Sequence, residues 1–360
     1  MRRVRNIAVG VTALALAGLS LAACGKDNTS SNGSGGNGGG GGSSAPSSLK
    51  VGMAYDIGGR GDQSFNDSAA AGLDKVKAEL NIPADNVNES SARQGETDKE
   101  RADRLTTLAD LGFNPIIAVG FAYAPALKQV APKYPNVKFG IVDATTDDVS
   151  GPNVANLTFA EEQGSFLVGA AAALKSTTGH IGFIGGCDVP LIHKFEAGYD
   201  AGAKAVKADI KIESKYLSTP QQNCSGFNDP AAGTESAKGQ YDAGADVVYA
   251  AAGGSGSGVF TAAKAAGKLA IGVDSDQYLT ANAGVKDVII TSMLKHVDVA
   301  VYNFIKEVND NKFVAGKNVF DLKVGGVDYA TSGGKMDDIK TKLDDYKKQI
   351  VDGKITVPTS

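Results

Sequence analysis

The chain has 360 residues, 42% of them hydrophobic and 21% charged, and its 36 Lys and Arg against 40 Asp and Glu give a formal net charge of −4. That balance provides no basic footprint for nucleic acid. Three histidines and three cysteines, with no CxxC or HExxH spacing, leave a metal site without its usual ligands.

Arg2, Arg3 and Arg5 precede an apolar run from Ile7 to Ala23 that ends in Leu21-Ala22-Ala23-Cys24, the basic, apolar and small-residue parts of an export signal. The run falls short of the about 18 to 20 residues that a membrane-spanning helix needs. The Leu-Ala-Ala-Cys box resembles a bacterial lipoprotein signal. That resemblance implies a signal peptide over 1–23 and a lipid anchor on Cys24, the first mature residue. Without the three signal arginines the mature chain carries 33 basic against 40 acidic residues, a charge near −7. The Gly- and Ser-rich stretch that completes 24–48 cannot bury an apolar face. As a flexible tether it has an r.m.s. reach of about 25 to 30 Å.

From Leu49 onward, short apolar runs ending in Gly or Asp alternate with Ala-rich amphipathic segments. Runs such as LKVGMAYD, NPIIAVG, VKFGIVDA, HIGFIGG, ADVVYAAAGG, KLAIGVDSD and DVIITSM read as buried parallel strands. Segments such as SFNDSAAAGLDKVKAEL, SFLVGAAAALK and HVDVAVYNFIKEVND read as the helices between them. The alternation predicts an α/β protein with doubly wound parallel sheets, and the length past the tether allows two lobes. Ligands of such sheets bind beyond the carboxyl ends of the strands. Asp56, Asp143, Gly254 and Asp274 each close a strand and fall at that rim. Each could also be a plain cap or turn residue. The GGSGSG run lacks the G-x-G-x-x-G spacing, and no Walker lysine follows a glycine loop, so a nucleotide-phosphate cradle is not expected.

Ser64 with Asp67 three residues on resembles a capping box, which puts Phe65 in the first turn of a helix. Its register with Ala69, Leu73, Val76 and Leu80 is compatible with a core residue as well as a ligand contact. Cys187 and Cys224, 37 residues apart, are either a disulfide of an exported protein or two buried thiols.

The segments YDIGGRGDQSFND, FGIVDAT, EEQGSFLVGAAAAL, GGCDVPLIHKFEAGYDAGA, VVYAAAGGSGSGVFTAAKAAGK, IGVDSDQ and TSMLKHVDVAVY, in this order, resemble the basic membrane protein (BMP), or PnrA-like, family. These are nucleoside-binding lipoproteins of ABC transporters. The resemblance implies a type I periplasmic-binding fold, two Rossmann-like lobes with a cleft between them. It implies a first lobe over 49–158 and 292–316, and a second over 159–291 and 317–356. It further implies that Phe65 stacks on the nucleobase with Phe195 as the facing ring, and that Asp143, Asp274 and Lys295 hold the ribose. Asn66 is suited to a purine edge, and Asp56 either binds the ligand or locks the glycine-rich loop. Gly254 would offer backbone N–H groups.

The Arg60-Gly61-Asp62 tripeptide lies inside the family's own loop, so adhesion through it is not expected. A cysteine and an acid at Cys187 and Asp188 depart from the small or apolar residues usual there. The implied function is capture of a nucleoside, purine foremost, and its delivery to an ABC permease by a monomer held on the extracytoplasmic face of the cell membrane. No cofactor, metal or nucleic-acid partner is implied. A surface or sensory lipoprotein, or a nucleoside-processing enzyme, would be the alternatives.

Overall fold

The computed structural model describes residues 47–360. The signal segment, Cys24 and most of the tether lie outside these residues. Among the described residues no helix is long and apolar enough to cross a membrane.

The first strand, β1 (Val51–Tyr55), is buried at every position and leads through a glycine-rich loop into α1 (Phe65–Glu79). There follow β2 (Val87–Ser91), α2 (Asp98–Asp110), β3 (Ile116–Ala118), α3 (Ala124–Val130), β4 (Phe139–Val142) and β5 (Val154–Phe159). The chain continues with α4 (Glu161–Lys175), β6 (His180–Gly185), α5 (Pro190–Val206), β7 (Lys211–Tyr216), α6 (Pro230–Asp242), β8 (Val247–Ala251), α7 (Gly256–Ala266) and β9 (Leu269–Asp274). It closes with α8 (Gln277–Thr280), β10 (Ile289–Lys295), α9 (Val297–Asn309), β11 (Gly316–Phe320), β12 (Val327–Tyr329) and α10 (Lys340–Val351).

Two six-stranded sheets result, with strand orders β11-β5-β4-β3-β1-β2 and β12-β10-β9-β8-β6-β7. Every pairing is parallel except that of β10 with β12. Helices cover both faces of a parallel sheet, which is why β1, β3, β4, β6 and β8 are buried at every position. The outer strands β2 and β7 have no such run; they read VNESS and KIESKY and are only half-buried or exposed.

The chain crosses between the sheets three times: after β5, after β10 and between β11 and β12. Strand pairing alters the lobe boundaries expected from the sequence. A division at 292 would cut β10, whose Met293, Leu294 and Lys295 still pair with β12 of the second sheet. A division at 317 would cut β11, which pairs with β5 of the first sheet as far as Phe320. We therefore propose a first lobe over 49–159 and 296–320 and a second over 160–295 and 321–356.

Helices α4 and α5 pack backbone to backbone in the second lobe. A Cβ on Gly169 would stand 2.0 Å from the Tyr199 carbonyl oxygen, and one on Gly202 only 1.9 Å from that of Phe166. No other residue fits there without pushing the helices apart.

Candidate functional site

The carboxyl ends of both sheets face one cavity between the lobes. Its wall includes Asp56 after β1, Asp143 after β4, Asp274 at the end of β9 and Lys295 at the end of β10. Phe65, Phe121, Phe195 and Phe227 line it, with Ile57, Leu191, Ile192, Ala251 and Val273 completing the apolar part. The empty space amounts to about 560 Å³, part of it open to solvent. Asp143 and Asp274 take φ of +67° and +64°. Asp tolerates this left-handed backbone better than most residues, and the turn it makes closes each strand at the cavity.

The three carboxylates share one arrangement. Asp143 accepts from the Lys295 ammonium through Oδ2 at 2.6 Å, and its buried Oδ1 has no partner among the described residues. Asp274 accepts from the Ser64 hydroxyl through Oδ2 at 2.7 Å, which leaves Oδ1 without a protein donor. Asp56 accepts from the Ile57 N–H through Oδ1 at 2.8 Å, and its Oδ2 lies so close to Gly120 that a Cβ there would come within 2.7 Å. Each thus has one oxygen without a protein donor. Two of these bonds also tie the lobes together: Lys295 to Asp143 and Ser64 to Asp274.

Lys295 is the electrostatic centre. It is 2% exposed, and its Nζ lies 4.7, 5.3 and 5.5 Å from the ring centres of Phe65, Phe159 and Phe195. Burial alone would lower its pKa, but Asp143, Asp274 and Glu161 outweigh that and hold it above the ordinary lysine value. The acids move in the opposite sense to exposed ones. Burial pushes Asp56 and Asp274 up to about 6, and Glu161, paired with Lys194 at 2.9 Å, up to about 7.

A folded-state pKa above the unfolded value means that protons favour the fold. The stability these acids contribute is fully present below their ordinary pKa near 4 and is lost as pH rises through 6 to 7. His296, raised by Asp298, acts in the same sense. The melting midpoint of the unliganded protein, followed by scanning calorimetry, is therefore expected to fall between about pH 5 and about pH 8.

Several sequence expectations change at this level. Asn66 lines the cavity, but its side chain is engaged by the glycine-rich loop. Its Oδ1 accepts from the Asp56 N–H at 3.0 Å, and its amide donates to Ile57 O at 3.2 Å and Asp62 Oδ2 at 3.0 Å. Both amide hydrogens are used within the protein, and these bonds lock the glycine-rich loop.

The capping box is not formed either. The Ser64 hydroxyl goes across the cleft to Asp274, and Asp62 caps α1 by accepting from the N–H groups of Ser64, Asn66 and Asp67. Asp62 of the RGD tripeptide is therefore a helix cap. Arg60 is bound to Asp74 at 2.8 Å and Glu89 at 2.7 Å.

Gly254 is absent from the wall, which takes Gly253 instead; Gly254 lies between Asn228 and Asp62. Phe195 is in the wall but only 2% exposed, beside Lys295. Phe121 and Phe227, both in the wall, are half-buried, with ring centres 6.5 Å apart and an edge-on angle of 69°. Neither ring stood out in the sequence, because each sits in a short irregular segment with no periodicity. Cys187 and Cys224 are joined as a disulfide with a Cα separation of 5.1 Å.

Known proteins agree with this architecture. Residues 49–360 match the family model described as ABC transporter substrate-binding protein PnrA-like. The ABC transporter nucleoside-binding protein BmpA of Lactococcus lactis is 34% identical over 98% of both chains. Basic membrane protein A1 of Borrelia garinii is 34% identical over 86% of this chain and 88% of its own. Among solved structures, an ABC transporter solute-binding protein from Aeropyrum pernix superposes with a TM-score of 0.75 at 28% identity, covering 87% of this chain and 94% of that one. Two parallel-sheet lobes enclosing a rim of strand-end carboxylates, together with these relationships, place the chain in the Bmp family of PnrA-like ABC transporter substrate-binding proteins.

Proposed function

We propose that the protein captures a ribonucleoside, with purines favoured, between its two lobes and delivers it to the permease of an ABC importer. The observation that carries this reading is the pairing of ring-lined apolar wall with three half-satisfied carboxylates. A nucleoside has the matching halves: a flat base, and a sugar with adjacent hydroxyl donors. An ionised carboxylate oxygen takes such donors in charge-assisted bonds. We assign the ribose to Asp143, Asp274 and Lys295, and the base to the space among Phe65, Phe121 and Phe227. Four carboxylates, Asp56, Asp62, Asp143 and Asp274, stand against one ammonium in the wall, so a phosphorylated ligand would be repelled.

The relative from Lactococcus lactis, named as nucleoside-binding, supports the ligand class. The Leu-Ala-Ala-Cys box supports a lipid on Cys24 and a tethered position on the outer face of the membrane, from which the body meets its permease. A Cys24→Ala chain is then expected to remain unprocessed and without thioether lipid, as mass spectrometry of membrane fractions would show.

Phe65→Ala tests the base half. Loss of one stacking face is expected to weaken purine and pyrimidine nucleosides alike by about 1 to 3 kcal/mol, roughly 5- to 150-fold, because stacking does not read base edges. Calorimetric titration checks this; a folded variant with unchanged affinity would make Phe65 a core residue. Affinity should also rise with pH as Asp56 and Asp274 ionise, opposite to the trend in stability of the empty protein.

A further inference from the structure

Phe227 is carried by a loop between Ser218 and Asp229 that has no regular structure except two short turns of 3-10 helix. Three features hold this loop, two of them to the end of β6 and one to the turn after β8. Cys224 is bonded to Cys187, which is fully buried two residues beyond the strand. The Ser218 hydroxyl donates to Gly186 O at 2.7 Å and accepts from the Gly226 N–H at 2.9 Å. The Ser255 hydroxyl donates to Gly226 O at 2.7 Å. The Phe227 ring then lies on bare Gly186, where a Cβ would come within 2.3 Å of its Cδ1. The ring also meets Phe121, which belongs to the opposite lobe, in an edge-on arrangement. The covalent bond, the glycine seat and the cavity wall therefore fall within residues 186–187 and 224–227.

Hydrogen bonds of neutral groups are individually weak, so the two serine clamps alone would let such a loop open locally. A covalent link forbids every opened state in which Cys224 leaves Cys187. We propose that the Cys187–Cys224 bridge is a positioning element of the binding cleft, holding Phe227 on Gly186 and against Phe121 so that the second aromatic wall is in place before the ligand arrives. Resting on nucleoside capture, the assignment makes the bridge an affinity determinant that acts through one ring. Preorganisation of this kind raises affinity by removing the ordering that binding would otherwise require.

The test uses adenosine and uridine as probes, with the parent chain, Cys187→Ala/Cys224→Ala, Phe227→Ala and the triple variant. Melting midpoints show that each is folded. By calorimetry the double cysteine variant is expected to bind about tenfold more weakly than the parent, and the triple variant within about twofold of Phe227→Ala alone. A bridge that only stabilises the fold would not produce that non-additivity. Parent-like affinity of the double variant, or full multiplication of the two losses in the triple variant, would overturn the proposal.

Hydrogen exchange of the unliganded protein supplies an arm free of any ligand. Amides between Thr219 and Asp229 should exchange faster without the bridge, while those of α6 stay protected; unchanged loop exchange would overturn the holding role. A parent that binds neither nucleoside would instead overturn the proposed function, and with it the bridge's role in affinity. The exchange result would then still separate the two failures.

Discussion

Replacing Lys295 with methionine is expected to destabilise the folded protein by about 3 to 5 kcal/mol at neutral pH, the usual penalty for leaving a buried ion-pair partner uncompensated. The side chains of Lys295 and Asp143 are 3% and 5% exposed, so water cannot replace the lost ammonium. A domain has only about 5 to 15 kcal/mol in total, so the variant should sit near its unfolding transition in mild urea. The deficit should shrink towards about pH 5. Lys295 lowers the pKa of both Asp274 and Glu161, and without it these acids protonate more readily and discard their charge. Urea unfolding at two pH values checks this. A loss below about 1 kcal/mol at neutral pH would mean that the buried carboxylates do not depend on this cation.

The second large effect is expected at Asp274. Asp274→Asn keeps an oxygen for the Ser64 hydroxyl and nearly the same shape, but removes the charge offered to the ribose. Hydrogen bonds to charged groups contribute about 1.5 to 3 kcal/mol, so ribonucleoside affinity should fall roughly 10- to 150-fold. A 2′-deoxynucleoside lacks one of the hydroxyls this carboxylate would accept and should lose less. The two losses should therefore fail to add, as coupled contacts do. Equal losses for ribo- and deoxyribonucleosides would move the sugar away from Asp274.

These effects rest on residues of unequal legibility in the sequence. Asp56, Asp143 and Asp274 end apolar runs, and in a parallel sheet a strand end is a rim position, so their convergence follows from pattern and topology together. The half-exposed strands β2 and β7 left no apolar run to read. The role of Ser64 was hidden because its partner Asp274 lies 210 residues away, and a local capping pattern pointed elsewhere. Thr97 shows the contrast: with Glu100 it forms the reciprocal capping box, its hydroxyl having no distant partner to serve. Phe227 lay beyond sequence reasoning for a related cause. Its position depends on which residue Cys224 meets, and on Gly186 leaving room for a ring, and neither fact has a period or a spacing.

The most direct measurement of the central claim is a calorimetric titration of the mature body with the common ribonucleosides, their 2′-deoxy forms, free ribose and nucleoside monophosphates. Nucleoside capture requires one-to-one binding of at least one ribonucleoside, weaker binding of its deoxy form, and far weaker binding of ribose and of the monophosphate. Absence of binding by every nucleoside, or a monophosphate that binds as tightly as its nucleoside despite the acidic wall, would contradict it.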